Sequence, residues 1–210
     1  MGHDIDGEFT ALPLANLADA ALSRAREVGA EHADFRVERI RTGDLALHDA
    51  LLETSHEDDQ RGIAVRVVHD GVWGFASGVA VTPDGAARLV DEAVAIAKAS
   101  RGAVSERIEL APEPTYSEVT WLSAYDVDPF DIPLRDRISL LAEWSAQLLR
   151  ADAVSHADAT LRQVRETKYY ADTSGTSTLQ QRVRMQCQLT DQHLGLRNRV
   201  VELAKTAAYQ

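Results

Sequence analysis

A single cysteine, Cys187, stands among the 210 residues of this chain. No internal disulfide framework can staple it, which fits a reducing compartment and a fold held by its core. No segment approaches the roughly twenty consecutive apolar residues needed to cross a bilayer. The opening Met-Gly-His-Asp-Ile-Asp-Gly-Glu lacks both the basic and the apolar region of a signal peptide, so the expected location is the cytoplasm. Basic runs are missing as well. The 33 acidic residues outnumber the 22 Lys and Arg for a net charge of −11, which repels nucleic acid and anionic lipid and excludes both as expected partners. There is no internal repeat at a fixed period and no low-complexity tract.

Motifs that carry chemistry are equally scarce. His56-Glu57 invites a zinc-protease reading, but Gln60 and Arg61 occupy the positions where a second histidine belongs, and the acidic surroundings read as a solvated loop rather than a helix. His32, His48, His69, His156 and His193 are scattered singly, with no pair at ligand spacing. A triad of Asp158, His156 and Ser155 fails because adjacent residues on one strand point to opposite faces. Gly71, Gly74 and Gly78 match neither dinucleotide-binding nor Walker spacing. Glu57-Asp58-Asp59 lacks the alternating ligands of a calcium loop. Cys187 lies in a strand pattern and reads as core packing. The expectation is no catalytic residue, no metal ligand and no cofactor in this chain.

What is present is 45% hydrophobic and 26% charged residues, enough for one or two domains with a sizeable core. Leu14, Leu17, Ala18, Ala21, Leu22, Ala25 and Val28 recur at helical spacing between Pro13 and Gly29, a helix with its stop signal. Residues 33–41 alternate, with Phe35 and Val37 against Asp34, Arg36 and Glu38, and a second strand is expected over 44–52 after Thr42-Gly43. Residues 54–60 read as a polar connection. Thr82-Pro83 caps a second helix with Leu89, Val90, Ala93, Val94 and Ala97 in one stripe. After prolines at 112, 114, 129 and 133, Leu134, Ile138, Leu141, Leu148 and Leu149 mark a third helix. Extended segments over 154–166 and 168–172 follow, then alternation over 178–188, and 194–209 could form a short terminal helix.

The most informative segment is Gly62-Ile-Ala-Val-Arg-Val-Val-His-Asp-Gly-Val-Trp-Gly-Phe-Ala-Ser-Gly78. Asp70-Gly71 between two alternating runs predicts a two-residue type I′ hairpin. Regular pairing places Val68 opposite Trp73, Val67 opposite Gly74, Arg66 opposite Phe75 and Val65 opposite Ala76. One side then carries Ile63, Val65 and Val67 against small residues, where a helix can approach closely. The other carries Arg66, Val68, Trp73 and Phe75, the candidate contact for a partner or peptide; the alternative is that the two rings pack beneath another part of the fold.

This hairpin resembles the amino-terminal region of the TldD/PmbA family of metalloproteases, in which Gly-x-x-Val-Arg-Val…Asp-Gly-x-Trp-Gly-Phe-Ala-Ser precedes an alanine-rich helix. Gly62, Val65, Arg66, Val67, Asp70, Gly71, Trp73, Gly74, Phe75, Ala76 and Ser77 carry it here. The resemblance runs from about Leu14 to about Leu189 and is closer to the TldD branch. It implies an α+β fold, a helix-flanked antiparallel sheet in the order α-β-β-β-β-α, followed by the start of a second α+β domain. The expected bounds are a tail over 1–13, a first domain over 14–105, a linker over 106–133, an incomplete second domain over 134–190 and a tail over 191–210 of uncertain relation to the family. The family's zinc site, a His-Glu-x-x-x-His helix completed by a cysteine, maps onto nothing here, so zinc is expected only in the full-length family.

By resemblance, the whole protein hydrolyses unfolded or extended peptides, and its members assemble as dimers, a TldD-type subunit with a PmbA/TldE-type relative or with itself. The chain is thus expected to be an amino-terminal, non-catalytic portion that contributes substrate passage and dimer contact. The alternatives are a non-enzymatic adaptor for peptides or proteins and an inactive truncated product.

Overall fold

The computed structural model describes residues 4–193 and 196–201, with side-chain surroundings through residue 191. Helices α1 (Gly7–Thr10) and α2 (Leu14–Glu27) lead into strands β1 (His32–His48), β2 (Leu51–His69) and β3 (Val72–Gly78). Helix α3 (Pro83–Ser100), strand β4 (Val119–Leu122), helix α4 (Leu134–Leu148) and strands β5 (Val154–Asp172), β6 (Ser177–His193) and β7 (Leu196–Val201) follow. The strand order is β3-β2-β1-β5-β6-β4, with β7 on β6. The α+β class read from the sequence stands.

The chain divides into two compact units, Met1–Arg39 with Gln60–Leu122 and Glu166–Gln181, and Ile40–Asp59 with Ser123–Arg165 and Arg182–Gln210. In the first, α2 and α3 bury their stripes against one sheet face. Leu17, Ala21, Leu22 and Ala25 of α2 and Leu89, Val90, Ala93 and Val94 of α3 meet Phe35 and Val37 of β1 and Ile63, Val65 and Val67 of β2. Thr82 caps α3 by accepting from the Gly85 N–H at 3.1 Å, and Gly29 ends the α2 segment at φ +74°.

The β2–β3 hairpin has the predicted register, Val68↔Trp73, Val67↔Gly74, Arg66↔Phe75 and Val65↔Ala76. Asp70 and Gly71 take φ of 51° and 69°, the pair of left-handed residues a type I′ turn requires. The small side lies under α3: a Cβ on Gly74 would overlap the Ala93 carbonyl and sit 3.1 Å from the Ala97 methyl. Helix and strand thus touch backbone to backbone where any side chain would hold them apart.

The second unit packs α4 on its strands through Leu141, with Leu45 and Leu47 of β1, Ala159 and Leu161 of β5, and Cys187 and Leu189 of β6. Burial raises the pKa of the Cys187 thiol, in keeping with a packing role.

Several local expectations are corrected. The first half holds three strands before α3 rather than four, because β1 runs unbroken through Thr42-Gly43. Gly43 instead leaves room for Gln163, whose Nε2 a Cβ would meet at 2.7 Å. The turn falls at Asp49-Ala50, φ 49° and 65°. Residues 54–60 belong to β2 rather than to a loop: the turn lays them beside β1, and ladder pairing carries extended backbone through a polar stretch. Residues 4–13 are no tail, since Phe9 is fully buried in the first core and Asp6 pairs with Arg39 at 2.8 Å. Residues 196–201 form a strand where a helix was expected; the rest of that expected helix, 194–195 and 202–209, lies outside the described residues.

Substituting Gly74→Ala is expected to cost about 1–3 kcal/mol by overpacking the α3 contact, lowering the urea midpoint at unchanged slope. Ser77→Ala on the exposed side of the same strand should stay within about 0.5 kcal/mol. A wild-type midpoint for Gly74→Ala would contradict the backbone contact.

Candidate functional site

The residues singled out in the hairpin meet on one face of the first unit. Strand alternation turns Phe35 and Val37 to the core, so His32, Asp34 and Arg36 of β1 fall on the opposite side. Arg66 and Val68 of β2 join them there, as do Trp73 and Phe75 of β3. The centre is Asp34, a carboxylate only 1% exposed. Arg66 donates to its Oδ2 through Nε at 2.7 Å, with Nη2 also at 2.7 Å, while Arg36 Nε stands 3.2 Å from Oδ1. Two guanidinium groups thus share a single buried carboxylate.

Each of those cations lies over an aromatic ring. The Arg66 guanidinium lies 4.4 Å from the centroid of Trp73, and that of Arg36 lies 5.7 Å from Tyr170 of β5, both within cation–π range. His32 meets Trp73 edge-on at 6.3 Å. Burial, reinforced by the Asp34 charge, raises the Tyr170 pKa, so the phenol stays neutral and donates to Asp172 Oδ2 at 3.1 Å. Of the four predicted residues, Val68 is buried and Trp73 half-buried, Arg66 keeps 42% of its side chain exposed, and Phe75 is 54% exposed. Asp34, Arg36, His32 and Tyr170 were missed. The alternation of β1 had marked the polar side of that strand, but only the strand order brings it against Arg66.

A second gathering lies within the second unit. His48 ends β1, Asp49 opens the turn to β2, and His156 and Asp158 lie two residues apart on β5, hence on one face. His48 Nδ1 lies 2.7 Å from Asp158 Oδ1, and its ring stacks on His156 with centroids 5.2 Å apart. His156 Nδ1 is 2.8 Å from Asp49 Oδ2, whose other oxygen accepts from the Ala157 N–H at 2.9 Å. The hydrogen bond to Asp158 raises the His48 pKa, and the bond from His156 lowers that of Asp49. No spacing in the sequence connects residues 48 and 156; only the pairing of β1 with β5 does. The rejected triad remains rejected for Ser155, which alternation places on the other side of β5. His56 is exposed on β2.

Residues 33–97 match the family model of PmbA/TldA metallopeptidase domain 1, which bears out the resemblance read from the hairpin. Among solved structures, the chain is similar to a protein from Thermotoga maritima described as a modulator of DNA gyrase. That similarity has a TM-score of 0.70 at 13% identity and covers 89% of this chain and 41% of that one. A protein of the same description from Bacteroides thetaiotaomicron gives 0.68 at 11% identity, covering 94% and 44%. TldE from Thermococcus kodakarensis gives 0.52 at 12%, covering 87% and 40%. At these identities the likeness is one of fold, and the chain spans less than half the length of each. No curated protein matches the chain.

The His48 imidazole should titrate above its ordinary 6.5 when followed by NMR with a chelator present, and Asp158→Asn should bring the midpoint down. Because the folded pKa is raised, the stabilisation from this pair is complete below 6.5 and is lost as pH rises through the folded midpoint. The lowered Asp49 works oppositely, contributing fully above its ordinary 3.8 and failing as pH falls through its folded value. A His48 midpoint at or below 6.5 would contradict the geometry.

Proposed function

We propose that this chain is the amino-terminal, non-catalytic portion of a TldD-type metallopeptidase, and that it contributes a wall of the substrate passage and part of the dimer contact. The match of residues 33–97 to the metallopeptidase's first domain carries this reading. The activity it serves is zinc-dependent hydrolysis of unfolded or extended peptides. The zinc and its ligands belong to the remainder of the full-length protein, because the sequence has no His-Glu-x-x-x-His.

The Arg66–Trp73–Phe75 face supplies the contact. Phe75 is a large ring left 54% exposed opposite Arg66, whose guanidinium lies over Trp73. Such a surface loses little side-chain entropy when covered, since Trp73 and Arg66 are already ordered by one another and by Asp34. Aromatic and arginine side chains in this arrangement are the usual anchors of protein interfaces. The partner is a PmbA/TldE-type subunit or a second copy, in the cytoplasm. Capture of extended peptides by a free-standing adaptor is the second reading, favoured by the same exposed Phe75.

The test mixes the purified chain with a PmbA/TldE-type subunit and follows mass by sedimentation. Association is expected, and Phe75→Ser should weaken it about tenfold or more, as loss of an aromatic anchor does. Zinc-dependent peptide hydrolysis by the 210-residue chain alone would overturn the non-catalytic assignment. Association with neither a subunit nor a second copy would overturn the dimer contact, and binding of an unstructured peptide instead would favour the adaptor.

A further inference from the structure

The gathering of His48, Asp49, His156 and Asp158 plays no part in the reading above. From its geometry we infer that the β1–β2 turn and the start of β5 form a binding site for a divalent first-row transition ion, with His48 Nε2, Asp49 Oδ2 and His156 Nδ1 as ligands and Asp158 as the positioning residue.

The three donors are already collected: one ligand atom from each of His48, Asp49 and His156 lies within 4.8 Å of the others. Asp49 Oδ2 is the shared vertex, 3.4 Å from His48 Nε2 and 2.8 Å from His156 Nδ1. Bonds of about 2.0–2.1 Å to a tetrahedral ion set ligand edges of roughly 3.3 Å. Of the three edges, one therefore has that length now, the second needs to open by about half an ångström, and the third, between the two imidazoles, lies within 4.8 Å. Both histidine side chains are partly exposed, 38% and 50%, so an ion has an entry path.

What distinguishes the site from a chance meeting of polar side chains is that its donors are aimed. Asp158 engages His48 Nδ1 at 2.7 Å, which places that ring's proton on Nδ1 and leaves the Nε2 lone pair toward Asp49. A carboxylate behind a histidine in this way fixes the tautomer and raises ligand basicity. Asp49 is aimed too, because Oδ1 is tied to the Ala157 N–H at 2.9 Å and Oδ2 is left facing both imidazoles. The turn beneath is anchored: the Asp49 N–H donates to the Ala157 carbonyl at 2.9 Å and the Ala50 N–H to the Oγ of buried Ser145 on α4, also at 2.9 Å.

Donor chemistry selects the ion. Two imidazoles with a carboxylate suit zinc, copper, nickel, cobalt or iron(II) in preference to calcium or magnesium, which take oxygen ligands. The carboxylates of Asp49 and Asp158 supply the negative charge that draws in a dication. Three protein ligands leave at least one position for water, so the site is open and exchangeable. In binding, the ion displaces the His156–Asp49 proton and fastens the turn to β5.

The test uses the untagged 210-residue chain, stripped with a chelator and titrated with Zn2+ in a calorimeter and with Co2+ in a visible spectrometer. One saturable equivalent is expected. His48→Ala and His156→Ala should each weaken it about a hundredfold, and Asp158→Asn about ten- to a hundredfold while the metal-free chain stays folded. His56→Ala, on exposed β2, should leave it as it is. A second measurement needs no variant: substoichiometric Ni2+ should broaden the imidazole resonances of His48 and His156 before those of His56 or His69. Absence of a one-equivalent site, its survival in both histidine variants, or broadening spread evenly over the histidines would overturn the assignment.

Discussion

The contact between the Gly74 backbone and the Ala93 carbonyl is the constraint on which the first unit depends. Strand side chains alternate with a strict period of two, so fixing one residue's direction fixes the whole hairpin. With Gly74 committed to α3, Val67 and Val65 must face the helices, and Arg66, Trp73 and Phe75 must face away. The Asp70-Gly71 turn delivers the same register independently. A one-residue slip would carry Trp73 into a space that has no room for even a methyl group. The polar face therefore follows from the packing of the opposite one.

Asp34 is the second element of that logic. A carboxylate this buried is unfavourable unless compensated, and on its own face β1 offers Arg36 at 3.2 Å and His32 at 4.0 Å. The better-aligned partner comes from β2, and Trp73 of β3 then covers the guanidinium that Asp34 holds. Three consecutive strands are tied by one charge, one fork and one ring, each in place because of the next. Removing Asp34 would release Arg66 to solvent and leave Trp73 without its cap, so the contact surface is a property of the network rather than of any single side chain.

The parts of this arrangement that were legible in the sequence were those governed by near neighbours. The hairpin register, the Thr82 cap and the stripes of α2, α3 and α4 follow from spacings of two to four residues, and the class of fold follows from their order. The parts that were not legible depend on partners far along the chain. Nothing near Thr54 to Gln60 argues for a strand; pairing beside β1 imposes it. Nothing near Phe9 declares it buried until α2 and the sheet stand around it. Gly43 looks like a break because glycine usually is one, and its actual neighbour, Gln163, is 120 positions away. The histidines at 48 and 156 share that difficulty, since ligand spacing on one helix can be counted and ligand pairing across a sheet cannot.

Two turns of the same type show how differently a chain can hold a left-handed pair. At Asp70-Gly71 glycine takes positive φ without penalty and the aspartate side chain stays 66% exposed, so local preference favours the turn that Glu31 and Ile108 then bond through Gly71. At Asp49-Ala50 an alanine takes φ of 65°, a conformation that costs an L-residue about 1–2 kcal/mol. That turn is held from outside, by Ala157 on β5 and Ser145 on α4, and its aspartate is turned back onto two histidines. A conformation that its own residues disfavour persists only where the surroundings over-determine it. Here those surroundings are the groups that collect the donor atoms, so the geometry that makes the turn expensive is the same geometry that makes it a site.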